Sequence, residues 1–163
     1  MRKSKHKPYL DYEDGSSSTS RLLIWQALKE YSTKALLPLL NDKEAIVRTA
    51  VAREFQVRGG SAVWRLAKGL SNSRRKHDRV MGLFILSQLG TPSLPYQQQS
   101  FDLIDSLLRR ERSSEVIEEA LYAIGHLRKG QPIRHEQLVK RIVNISARRG
   151  SALSNAKAFA LRK

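Results

Sequence analysis

Cysteine is absent from the 163-residue chain. That excludes disulfides, thiolate metal sites and cysteine nucleophiles, and it fits a reducing cytoplasm. No stretch approaches the roughly 18 consecutive apolar residues that a membrane-spanning helix needs. The chain opens with Arg2, Lys3, Lys5 and Lys7, but Pro8-Tyr-Leu-Asp-Tyr-Glu-Asp14 follows where a secretory signal would place its apolar segment. The expectation is a soluble, non-exported, cytoplasmic protein with no membrane role. Strand signals are missing too, since no period-two run of β-branched residues lies between turn residues. Acidic side chains are scarce: 15 Asp plus Glu face 30 Lys plus Arg, a formal net charge of +15. Such an excess speaks to partners and encounter rates rather than to fold.

What is present is helical periodicity. Residues 1–19 are charged and then polar, ending in Gly15-Ser-Ser-Ser-Thr-Ser20, and are expected to form a flexible basic and polar arm. Thr19 or Ser20 can cap a helix opening near Arg21. Residues 20–163 are expected to form one helical repeat domain. Breaks at Asn-Asp, Gly-Gly, Ser-Asn-Ser, Gly-Thr-Pro and Arg-Lys-Gly separate apolar helices predicted at 21–30, 32–40, 43–57, 61–71, 76–89, 96–110, 114–128, 133–148 and 151–161.

The second helix of each pair repeats a pattern of small and large apolar residues. Copies begin at Val47, Asp78, Val116 and Leu153, hence 31, 38 and 37 residues apart, close to the period of two-helix solenoid repeats. Ala50, Ala52, Gly82, Ala120, Ala123, Ala156 and Ala160 allow close helix approach. Phe55, Leu86, Ile124 and Phe159 fill the layer between neighbours. One hairpin cannot bury its apolar faces alone, but stacked hairpins can.

The first copy, Leu36-Leu-Pro-Leu-Leu-Asn-Asp42 through Val47-Arg48-Thr-Ala50, resembles a HEAT repeat, with Asp42, Val47 and Arg48 at the marked places. The resemblance implies an all-α fold: a right-handed α-solenoid of stacked antiparallel helix pairs, about four repeats preceded by an N-terminal helix. It also implies that such Asp and Arg side chains hydrogen-bond between repeats as a ladder. Later copies depart from the motif. Ser73, Asp78 and Arg79 fill the three places in the second copy, Glu111, Val116 and Ile117 in the third, and Arg148, Leu153 and Ser154 in the fourth. Arg79 and Val116 therefore keep single motif positions, and a continuous ladder is not expected. Gln56 to Ala67 and Gly82 to Leu89 are similar to bacterial HEAT-repeat proteins associated with Rhs polymorphic-toxin loci, which implies an immunity-type or accessory role. Those proteins tend to be longer, so three outcomes are open for the last helix, with Leu153, Phe159 and Leu161: a capping partner, an end-to-end homodimer, or a naturally short relative with a modest exposed patch.

Catalytic chemistry finds little support. His6, His77, His126 and His135 pair with no ligand at metal spacing, Gly59-Gly60 follows a helix rather than a strand, and no nucleophile, base and orienting group emerge together. Asp102, Asp105, Glu111, Glu115, Glu118 and Glu119 are interleaved with arginines and read as solvated ion pairs. No enzyme, metal or cofactor is expected. A distant similarity to HEAT-like alkylpurine DNA glycosylases leaves a remote enzymatic alternative, although no Asp or Glu here matches that family's catalytic motif.

The basic residues carry the functional expectation. Arg58, Arg65, Lys68, Arg74, Arg75, Lys76 and Arg79 span the second repeat. Arg109, Arg110 and Arg112 occupy a turn. Arg134, Lys140, Arg141, Arg148, Arg149, Lys157, Arg162 and Lys163 gather near the C-terminus. Stacked repeats would align the inter-helix turns into one arginine edge, suited to carboxylates or phosphates. The expected function is a non-catalytic binding module for an acidic protein partner. Nucleic acid binding through the same edge is the alternative, with Trp25 and Trp64 as stacking surfaces or as core.

Overall fold

The computed structural model describes residues 9–11, 18–129 and 136–162. Its elements are α1 (Ser18–Leu28), α2 (Thr33–Leu36), a 3-10 turn (Leu37–Asn41), α3 (Ala45–Arg58), α4 (Gly60–Ser71), α5 (Lys76–Ser87), α6 (Gln97–Leu108), α7 (Ser114–Leu127), α8 (Glu136–Asn144) and α9 (Ala152–Leu161). Among the described residues there is no strand, so the protein is all-helical. Among the described residues, no helix is long and apolar enough to cross a membrane.

The expected helix at 32–40 is a single α-turn continuing as a 3-10 turn. Pro38 lies at its start and has no N–H to offer an α-helical ladder. The expected helix at 133–148 begins, as described, at Glu136 and stops at Asn144. Lys157 supplies the reason: its Nζ donates to the carbonyls of Val143 (2.6 Å) and Ile145 (2.9 Å), satisfying acceptors that a further turn would otherwise take up.

The chain divides into two compact units, with the boundary after Phe55. In the first, Leu10 is only 1% exposed. The Tyr9 hydroxyl donates to the Leu40 carbonyl, and the Asp11 N–H donates to Thr49 Oγ1. Arg21 grips both Asp11 carboxylate oxygens. Residues 9–11, expected within a flexible arm at 1–19, are therefore fastened to this unit, and α1 already begins at Ser18. The rest of that arm, residues 1–8 and 12–17, lies outside the described residues.

In the second unit, residues 56–163, α4 pairs with α5, α6 with α7 and α8 with α9, while α5 packs on α7 and α7 on α9. Small residues set these approaches. A Cβ on Gly82 would sit 2.5 Å from the Ser71 nitrogen and 2.7 Å from the Ala67 carbonyl oxygen, so α5 touches the backbone of α4. Gly125 of α7 gives the Phe159 ring of α9 its place. Around these crossings Leu83, Ile85, Leu86, Ile104, Val116, Leu121, Ile124 and Ile142 are fully buried.

Candidate functional site

The site is an edge of inter-helix turns, and the direction of α5, α7 and α9 creates it. At their starts, Arg79 of α5 reaches Glu111 just before α7, and Lys76 reaches Glu115 in the first turn of α7. Near their ends, Tyr122 and His126 of α7 contact the Phe159 ring of α9. Arg128 beyond α7 donates to the Ala160 carbonyl at 3.1 Å. All three helices therefore run parallel. Their N-terminal ends, and the turns 72–75, 109–113 and 145–151 that lead into them, share one end of this unit. Parallel helix N-termini each contribute partial positive charge there.

The cations of this edge fall into two groups. Arg79 is braced: Nε donates to Glu111 Oε2 at 2.7 Å and Nη2 to Oε1 at 3.2 Å, while Nη1 takes the carbonyls of Ser73 and Arg74. Glu111 also accepts the backbone N–H groups of Arg112 and Ser113. Burial pushes the Glu111 carboxyl upward, but the Arg79 guanidinium and these two N–H donors outweigh it and hold the pKa below the ordinary value. Lys76 is engaged with Glu115 at 2.6 Å, Arg109 with Asp105 at 2.7 Å, and Arg110 with the Asn72 side-chain oxygen. Arg75 stands 3.9 Å from Asp78. In contrast, Arg74, Arg112, Arg148 and Arg149 are exposed and carry no side-chain partner among the described residues.

Not every expected residue reaches the edge. Arg58 closes α3 beside Gly59, whose Cβ position lies 3.1 Å from the Gly90 Cα. That is the opposite end of the α4–α5 hairpin, about 18 Å from the 72–75 turn at 1.5 Å per helical residue. Arg65 and Lys68 are exposed along α4, off the turns. Arg134 and Lys163 lie outside the described residues, as do His6 and His135.

The polar motif residues of the first copy bond within the first unit. Asp42 accepts the Glu44 N–H at 2.8 Å. Arg48 donates to the Asp42 and Tyr9 carbonyls and lies over the Tyr9 ring. Val47 is half-buried and Val116 fully buried. In the second unit, Arg79 and Glu111 form an ion pair between neighbouring hairpins.

Both tryptophans are occupied. Trp25 donates to Glu54 at 2.8 Å under the Lys29 ammonium, and Trp64 stacks on Tyr96 with ring centroids 5.3 Å apart and planes 5° apart.

Asn72 and Gln97, which the sequence reading passed over, also tie helices together: Asn72 receives Arg110 of the next hairpin, and the Gln97 amide donates to the Leu127 carbonyl within the α6–α7 hairpin. Arg141 donates to Asp105 at 2.9 Å across adjacent hairpins. Asp105 thus sits between two arginines. Burial raises its pKa less than Arg109 and Arg141 lower it, so it stays ionised. Asp102, Asp105, Arg109 and Glu136 also line a cavity of about 350 Å³ floored by Phe101 and Leu138. On α7, burial and the neighbouring Glu115 raise the pKa of Glu118. Among the described residues, no group of three His, Asp or Glu side chains is arranged to hold a metal ion.

The chain is 24% identical to Protein YibA of Escherichia coli K12 over 138 residues, covering 85% of this chain and 49% of that protein. Protein YibA of Escherichia coli O157:H7 gives the same values. The X-ray structure of Escherichia coli YibA matches with a TM-score of 0.73 at 22% identity, covering 93% of this chain and 54% of that one. The fold is shared. No protein-family model matches the chain. It spans about half the length of the curated relatives it matches.

Proposed function

We propose that the protein is a non-catalytic, HEAT-like solenoid module that binds an acidic protein partner along the turn edge of α5, α7 and α9. The protein itself takes the immunity or accessory role that the Rhs-associated resemblance implies, and the partner is a toxin. The observation that carries this reading is the set of exposed, unpaired guanidinium groups in turns that parallel helices bring to one end. An Arg fork donates two hydrogen bonds to a carboxylate, which suits it to an acidic surface. The hairpin pairing of α4 to α9, with α5, α7 and α9 in one row, supports the solenoid reading. Nucleic acid is the second reading, and the same unpaired arginines favour it. Against it, both tryptophans are already engaged, Trp25 by Glu54 and Trp64 by Tyr96, so neither ring is free to stack on bases.

The test is affinity capture from the protein's own host, comparing the wild type with a variant in which Arg74, Arg112, Arg148 and Arg149 are all changed to Glu. A specific protein retained by the wild type and lost by the variant is the expected result. Retention of nuclease-sensitive material alone transfers the function to nucleic acid. Equal capture by both forms rejects the edge.

A further inference from the structure

The unpaired arginines recur with a spacing that selects among acidic partners. Arg74 and Arg112 occupy the same register, one residue before the caps of α5 and α7 (Arg75 and Ser113). Arg148 and Arg149 stand two to three residues before Ser151, which caps α9. One free cationic position therefore precedes each helix of the row. Helices in direct contact lie about 8–10 Å apart, and α5 packs on α7 and α7 on α9, so the turns that carry the free arginines repeat at about that interval across the helix ends. Glu111, Glu115, Asp78 and Asp105 are also at or near this edge, but each is engaged by an arginine or lysine. They leave the free cations unopposed.

An α-helix carrying a carboxylate every seventh residue presents them on one face about 10.5 Å apart. Successive phosphates of a single strand are closer than this, and alternate residues of an extended strand are about 7 Å apart. The geometry points to an acidic helix with carboxylates at seven-residue intervals, laid across the N-terminal ends of α5, α7 and α9. Its three successive acids meet Arg74, Arg112 and the Arg148–Arg149 pair. This inference rests on the binding-module reading above and adds the partner's shape.

Two helical peptides of identical composition test it, one with Glu at every seventh position and one with the same Glu residues at every fifth. The fifth-residue spacing turns successive acids to different faces. Titrated against the full chain in low salt, the seven-residue peptide is expected to bind at least about fivefold more tightly, the scale that one or two exposed ion pairs supply. Changing Arg74 and Arg112 together to Glu should abolish the preference, while Arg74→Lys with Arg112→Lys should retain part of it. Helical circular dichroism and the melting temperature confirm that the exposed-turn variants stay folded. Equal affinity for the two peptides, binding of neither, or tighter binding of a DNA duplex than of the seven-residue peptide would each overturn the inference. Equal affinity with capture of a host protein still lost in the quadruple charge reversal would leave the binding-module reading standing.

Discussion

Arg79 and Glu111 show how one residue can belong to a charged edge and yet serve the fold. Glu111 is 9% exposed, its partner guanidinium is held in a fork, and both carboxylate oxygens are used. Replacing Arg79 with Ala leaves a buried carboxylate without its cation and is expected to cost about 1.5–3 kcal/mol. The pH dependence follows from the lowered pKa of Glu111. A carboxyl depressed in the folded state stabilises above its ordinary value of 4.5 and loses that contribution as pH falls through the folded value. The gap in urea midpoint between wild type and Arg79→Ala should therefore be full at neutral pH and shrink in acid. A gap that stays constant down to about pH 3 would show that Glu111 does not carry the interaction. The sequence placed Arg79 both among the motif residues and among the edge cations. Spacing alone could not tell which role it takes, because Glu111 lies 32 residues away and only helix packing brings it close.

At the scale of the element, helix positions were legible because apolar periodicity and turn residues are local signals. The helices expected at 61–71, 76–89, 96–110, 114–128 and 151–161 are found at 60–71, 76–87, 97–108, 114–127 and 152–161. Two ends were misjudged where something non-local or a missing N–H intervened: at Pro38, and at Asn144, where Lys157 caps the carbonyls. Small residues in the repeat pattern were expected to mark close approaches, and Gly82 is the sharpest case. Gly82→Ala gains about 1 kcal/mol in helix propensity but forces a methyl into the backbone of α4, for which about 1–3 kcal/mol or more is lost. Net destabilisation is expected. Gly69 on α4 is the control, since a Cβ there meets nothing within 4 Å, so Gly69→Ala should raise the denaturation midpoint. If both substitutions stabilise, α5 does not pack against α4 as described.

Across the whole molecule, a net charge of +15 opposes compaction through self-repulsion, while the buried Arg79–Glu111 pair is weakly screened. Raising ionic strength from about 0.02 to 0.2 M shortens the Debye length to below 10 Å and should raise the melting temperature. A fall would mean that attractive surface pairs outweigh the repulsion. The same screening should slow association with an acidic partner.

Composition, periodicity and turn chemistry were enough to determine an all-helical chain, most helix limits and a surplus of basic side chains, because each is a property of residues near one another along the chain. Which arginines are spent on ion pairs and hydrogen bonds and which stand free was decided only by the tertiary structure. Three parallel helices bring turns tens of residues apart to one end, and proximity across that distance leaves no local trace. Arg79 and Arg110 met partners there, Arg58 was carried to the opposite end, and Arg74, Arg112, Arg148 and Arg149 were left facing outward.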